Sequence, residues 1–226
     1  MTGNKYISQG NPKGRPFRAR GARIIRCDDC QMPKDYCICS YSSLKESQVV
    51  FWLLMHRKEQ YKPTNTGRLI LDCVSDCRRS IWDRTNPPEE LLVSLKQNEF
   101  RFMVLFPTDE ATDIDPKSID MGSDGKKICV IIPDGTWRQA SKMMNRSPYL
   151  DDVPRIGLWT TKNSSYNLRK AKQSYQLCTA EVAIEVMKRF KQHSPADSLE
   201  YYYQKFNYNY AVARKGLGEI KVPEEL

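Results

Sequence analysis

The chain has 226 residues, 40% hydrophobic and 28% charged, which suits one α/β domain with an appendage or two small domains. Its 36 lysines and arginines outnumber 27 acids, and a surplus of +9 favours polyanionic partners because each neutralised phosphate releases a counterion. No apolar run approaches the roughly twenty residues of a membrane-spanning helix, and the N-terminus lacks the apolar stretch of a secretory signal, so a cytoplasmic protein without a membrane partner is the expectation. The many charges and the lack of an apolar surface helix make a monomer the expected state.

Residues 1–26 carry seven basic residues from Lys5 to Arg26 and no acid, interleaved with Gly10, Pro12, Gly14, Pro16 and Gly21. That composition reads as a flexible basic arm, either an RNA-contacting segment or a solubilising tail. Four of the eight cysteines follow at once: Cys27, Cys30, Cys37 and Cys39, spaced C-x2-C-x6-C-x1-C within thirteen residues. Four thiolates so close together can wrap one tetrahedral Zn²⁺ and hold a segment that has no core of its own. A redox C-x-x-C needs no second pair, so structural zinc in a module over residues 27–45 is the expectation. Four sulfurs fill the coordination shell, which leaves that zinc no catalytic position.

From residue 46 onward, short apolar runs alternate with amphipathic stretches. Strands are predicted at Val49–Met55, Leu69–Asp72, Phe102–Phe106, Ile128–Ile132 and Arg155–Trp159. Helices are predicted from Pro88-Glu89-Glu90, over Trp137–Asn145, Thr179–Gln192 and Leu199–Lys215, with a surface loop from Thr108 to Lys127. Alternating strands and helices imply a mostly parallel sheet flanked by helices.

The segment Asp134-Gly135-Thr136-Trp137 stands directly after the apolar run Ile128–Pro133, where open α/β sheets bind ligands. Two readings of Asp134 stand side by side. It is either the cap of the following helix, or a buried carboxylate in the cleft, its pKa raised and suited to taking a proton. Thr136 is a second candidate cap, and Trp137 is either core or a surface on which a base stacks. His56-x-x-Glu59, Thr64-Asn65-Thr66-Gly67-Arg68-Leu69, Leu105-Phe106-Pro107, Leu168-Arg169-Lys170 and Thr179-x-Glu181 are further polar clusters in apolar surroundings. Taken singly each is a common pattern, and turn chemistry alone accounts for Asn65 and Gly67. The aromatics Tyr201, Tyr202, Tyr203, Phe206, Tyr208 and Tyr210, at helical spacing, read as core before base-stacking.

Taken in order, the cysteine set and these clusters resemble the DTW-domain family of tRNA-uridine aminocarboxypropyltransferases, over nearly the whole chain beyond the arm. The resemblance implies a SPOUT-like knotted fold for residues 46–226, with S-adenosylmethionine as donor and tRNA as acceptor. It also implies transfer of the 3-amino-3-carboxypropyl group to N3 of a uridine, with the variable loop as the expected location. By the same resemblance Thr66, Phe106, Pro133, Thr136, Leu158, Tyr166 and Thr179 surround the donor. Asp134 is then the candidate general base or a group that positions the uracil edge. Trp137 is then expected to stack on the base or wall the pocket, and Arg169, Lys170 and Lys172 either grip phosphates or the donor carboxylate or are solvated surface charge. The basic arm, the zinc module and the C-terminal helix are the expected tRNA grip. Cys178 stands where the family commonly has Ser, and Val182 where Ala is common. The alternatives are a methyltransferase using the same donor, and a non-catalytic zinc-containing RNA-binding protein.

Overall fold

The computed structural model describes residues 24–107, 111–113, 125–158 and 177–216. Six strands form one sheet: β1 (Val49–His56), β2 (Cys77–Trp82), β3 (Arg101–Leu105), β4 (Thr112–Asp113), β5 (Ile128–Asp134) and β6 (Arg155–Gly157), in spatial order β2-β1-β5-β3-β6-β4. Every pairing is parallel. Parallel neighbours need crossovers over the sheet, and the crossovers bury both faces. Hence β1 and β5 at the centre are nearly unbroken apolar runs, buried along almost their whole length.

The side chains of β1 and β5 alternate between two cores. On the first face Val49, Phe51, Leu53, Val130 and Ile132 pack with residues of α1 (Gly67–Cys73), α4 (Thr179–Arg189) and α5 (His193–Gly216). On the second, Val50, Trp52, Leu54 and Ile131 meet Leu91 of α2 (Glu89–Lys96) and Ala140, Met143 and Met144 of α3 (Trp137–Met144). Each such fully buried side chain contributes about 1.5–3 kcal/mol relative to exposure. The cysteine-rich segment also joins the first core, through Cys30, Met32 and Ile38, and its two short helical turns lie against α5. Tyr202, Tyr203 and Phe206 of α5 are core, as their spacing predicts, whereas Tyr201 is exposed. Among the described residues no helix is long and apolar enough to cross a membrane.

Three expectations need correction. Leu69–Asp72 is not a strand but the middle of α1, which buries Leu69, Ile70 and Cys73 on one face. A four-residue apolar run carries no period long enough to separate helix from strand, and only Ile70 in it is β-branched. Strand β2 was not anticipated, because Arg78 and Arg79 mask its pattern. Arg78 lies over the rings of Trp52 and Phe100, 5.3 and 4.9 Å from their centroids, and pairs with Glu99, so its stem covers aromatic surface while its charge is answered. Finally, Thr112–Asp113, inside the expected loop, adds a two-residue edge strand to β6. The chain between Leu158 and Leu177, which bears on the knotted threading implied by resemblance, lies outside the described residues.

Candidate active site at the sheet edge

Strands β1 and β5 are neighbours, with Met55 opposite Asp134 at their carboxyl ends. The chain leaves β1 for α1 on the first face and leaves β5 for α3 on the second. The two exits diverge at this switch point, and it is in the crevice at such a point that open α/β sheets bind ligands.

Asp134, 2% exposed, ends β5 and turns toward the first face. Its Oδ2 accepts a hydrogen bond from Asn65 Nδ2 at 2.6 Å, and its Oδ1 accepts one from Thr179 Oγ1 at 2.7 Å. An ionised carboxylate is acceptor-only and suits two such donors. These bonds join three distant stretches: the end of β5, the loop into α1 and the first residue of α4. A third hydrogen bond tightens the joint, since Ala180 N–H donates to Thr66 Oγ1 at 3.3 Å. Gly67 makes the close approach possible, because a Cβ there would lie 2.9 Å from Asp134 Oδ2 and 3.2 Å from Asn65 Oδ1.

The cap of α3 is Thr136 and not Asp134. Gln139 N–H donates to the Thr136 hydroxyl, and Thr136 N–H donates to Gln139 Oε1 at 2.7 Å, a reciprocal capping box. That arrangement leaves the Asp134 carboxylate to its partners on the first face, Asn65 and Thr179. Trp137, the next residue, is 50% exposed and stacks on Phe106 with centroids 5.2 Å apart and planes 16° off parallel. It is therefore a surface ring backed by a buried one, not a core residue.

His56 closes the second face of the crevice. Its ring stacks on Trp82 at 6.1 Å, its Nδ1 accepts from Lys58 N–H at 3.2 Å, and Gln139 Nε2 lies 3.2 Å from the same nitrogen. The neutral ring with its proton on Nε2 satisfies that set. Burial first, and then the charges of Lys58, Arg57 and Lys142, hold its pKa below the usual 6.5, against the opposing pull of Glu59. The thiol of Cys178, before α4, is pushed up to about 12 by burial and by Glu181, so it is protonated at neutral pH and is no nucleophile. Its backbone N–H donates to Glu181 Oε2 at 2.8 Å, which caps α4.

Thus Asp134 and Thr179 of the anticipated site are hydrogen-bonded, Thr66 joins them through the Ala180 N–H, and Phe106 and Trp137 stack on each other. Pro133 lies in β5 opposite Leu54, and Leu158 follows β6, packed on the first core. Thr136 is exposed and committed to capping. Tyr166, Arg169, Lys170 and Lys172 lie outside the described residues. Asn65, Gly67, His56 and Gln139 were not anticipated as site residues. Asn65 and Gly67 had passed as turn chemistry, and the signal for Gln139 was Thr-x-x-Gln at a helix start.

Elsewhere, the thiols of Cys27, Cys30, Cys37 and Cys39 converge with all four sulfurs within 4.8 Å of one another. Cys27 Sγ lies 3.6 Å from Cys39 Sγ, and Cys30 Sγ 3.7 Å from Cys37 Sγ. A tetrahedron of sulfurs about 2.3 Å from a central ion has edges of about 3.8 Å, so the four cysteines can bind a metal ion. Burial pushes the Cys30 thiol up to about 11. The Cys27 thiol is brought down to about 7, where hydrogen bonds from the backbone of Cys30 and Asp29 and from neighbouring thiols outweigh burial.

Fold and site together define an α/β protein with a hydrogen-bonded buried carboxylate at the sheet switch point and a four-cysteine module on one face. The family model of the DTW domain matches residues 24–211, and the chain belongs to that family. It is 24% identical over 165 residues to two proteins named tRNA-uridine aminocarboxypropyltransferase 2, from Mus musculus and Macaca fascicularis, with 71% of this chain and 55% of each relative covered. The chain thus spans about half the length of the curated relatives it matches. No solved structure matches it.

Proposed function

We propose that the chain is a tRNA-uridine aminocarboxypropyltransferase. It moves the 3-amino-3-carboxypropyl group of S-adenosylmethionine to N3 of a tRNA uridine in the variable loop and releases methylthioadenosine. The observation that carries this reading is the pairing, in a DTW-family chain, of a doubly hydrogen-bonded buried carboxylate with an exposed, ring-backed tryptophan at the sheet switch point. The names of the two relatives give the reaction its type. The crevice has the chemistry for the donor: a carboxylate for a sulfonium, threonine hydroxyls for polar atoms and aromatic faces for flat rings. The SPOUT-like threading belongs to this proposal, as does the division into an arm over 1–26, a module over 27–45 and a catalytic domain over 46–226.

The donor supplies an electrophilic γ-carbon on sulfur. The acceptor nitrogen carries a proton and is a poor nucleophile until that proton leaves. Asp134 takes that proton, Thr179 and Asn65 hold its carboxylate in place, and Trp137 supports the uracil ring. The N3–carbon bond forms as the carbon–sulfur bond breaks. A second reading is favoured by one observation. Both Asp134 oxygens already accept hydrogen bonds, which suits a positioning group that fixes the α1 loop and α4. Zinc is proposed for the four cysteines, as a closed structural site.

Nucleoside mass spectrometry of tRNA incubated with enzyme and donor tests the reaction, and a gain of one methyl group would overturn it. Asp134→Asn is expected to lower turnover by at least about 10²-fold, with tRNA binding retained. If Asp134 is the base, the variant also loses the acidic limb of the kcat–pH profile. If it positions, that limb persists and the KM for the donor rises.

A further inference from the structure

Two segments beside the crevice carry an uneven charge. From His56 to Arg68 the one acid is Glu59, which is 0% exposed and paired with Lys62. From Trp137 to Leu150 there is no acid at all. Arg57 and Lys58 are exposed in the turn after β1, and Arg138, Lys142 and Arg146 are exposed along and just past α3, while Ala140, Met143 and Met144 are buried on its other side. None of these five cations pairs with an acid among the described residues. The two groups converge: Gln139 of α3 reaches the His56 ring, and the charges of Arg57, Lys58 and Lys142 all act on that ring. Trp137 is the residue next to Arg138.

The cysteine module lacks this character. Between Cys27 and Cys39 the module carries Asp28, Asp29 and Asp35, all exposed, against Lys34 alone, so its field repels phosphate. On α5, Asp197 and Glu200 stand beside Lys205, Arg214 and Lys215, and Lys205 lies over the rings of Tyr41 and Tyr201.

We propose that Arg57, Lys58, Arg138, Lys142 and Arg146 form a track that binds the RNA sugar–phosphate backbone and delivers a nucleotide to Trp137. The choice of RNA as occupant rests on the proposed transfer to tRNA; the location rests on the charge pattern. Contacts of this kind set affinity and orientation but do not read sequence. The cysteine module then serves as a structural clip on α5, not as part of the grip.

The test is equilibrium binding of a tRNA transcript to the full chain without donor, at several salt concentrations, alongside steady-state transfer. Arg138→Gln with Lys142→Gln is expected to weaken binding about tenfold near 0.1 M salt and to flatten the log–log salt slope by about 1.5, two phosphate contacts' worth. The KM for tRNA rises with kcat and donor affinity retained. Lys45→Gln with Lys96→Gln removes the same charge from segments that enter the opposite edge of the sheet and should leave binding unchanged. Equal losses in the two pairs would reduce the effect to net charge and overturn the track. Unchanged affinity and slope in the Arg138/Lys142 variant, with transfer intact, would overturn it while leaving the proposed reaction standing. The expected binding pattern without any transfer would instead sink the reaction and keep the track.

Discussion

Gly67 illustrates how much of this site rests on single atoms. Asp134 is buried against the start of α1, and only a residue without a Cβ lets the carboxylate sit there. Gly67→Ala puts a carbon 2.9 Å from Oδ2, too close to persist, so the carboxylate or the helix must shift. We expect a stability loss of about 1–3 kcal/mol, as for other overpacked sites, read as a fall in Tm. Transfer should suffer more than stability, and a variant with full activity would show that the Asp134 geometry is not critical. His56 gives a pH prediction with a definite sign. Its folded pKa lies below the unfolded value near 6.5, so the unfolded chain binds more protons as pH falls. Its contribution is intact above pH 6.5 and is lost as pH falls below that value. Between pH 7.5 and 5.5 the wild type should therefore lose more Tm than His56→Gln; equal losses would remove His56 as the cause. In the sequence, Asp134 was visible as a polar residue after an apolar strand, but its partners were not. Asn65 lies 69 residues away and Thr179 lies 45 away, and no local pattern links residues joined only by the fold.

Helices and strands were legible where period or caps were strong. Strands β1, β3, β5 and β6 follow from long or branched apolar runs, and α2 and α3 from Pro88 with two following acids and from Thr136 as a candidate cap. Strand β2 was hidden because its arginines are satisfied by tertiary partners, Trp52, Phe100 and Glu99, that sequence proximity does not reveal. The cysteine segment was fully legible in spacing, and the structure adds that it docks on α5 and contributes Cys30, Met32 and Ile38 to the first core. Metal loss should therefore reach beyond the module. Chelation is expected to remove one metal ion per chain and to lower Tm for the whole domain, and Cys37→Ser should do the same without chelator. Elemental analysis and a thermal scan check both. An unchanged Tm after complete metal removal would count against the structural role.

At the scale of the molecule, the parallel sheet was predicted from alternation, but the strand order was not, because register and order depend on which crossovers pass over which face. The order decides function. Placing β5 between β1 and β3 sends α1 and α3 to opposite faces, so the crevice has two differently built sides. Asp134, Thr66 and Thr179 belong to the first, where hydroxyls and a carboxylate are locked by mutual hydrogen bonds. Trp137, Phe106 and His56 belong to the second, which is aromatic and bordered by cations. The proposed transfer fits such a division, with its donor assigned to the locked side and its nucleotide to the open ring. Trp137→Ala tests the division directly. Half of the ring is exposed, so the fold loses little and Tm should barely move. Stacking of a base on an aromatic side chain is worth about 1–3 kcal/mol, so the KM for tRNA should rise about tenfold or more. Donor affinity, measured by calorimetry, should stay constant. A variant in which donor affinity falls and the KM for tRNA does not would place the donor, not the uridine, on Trp137.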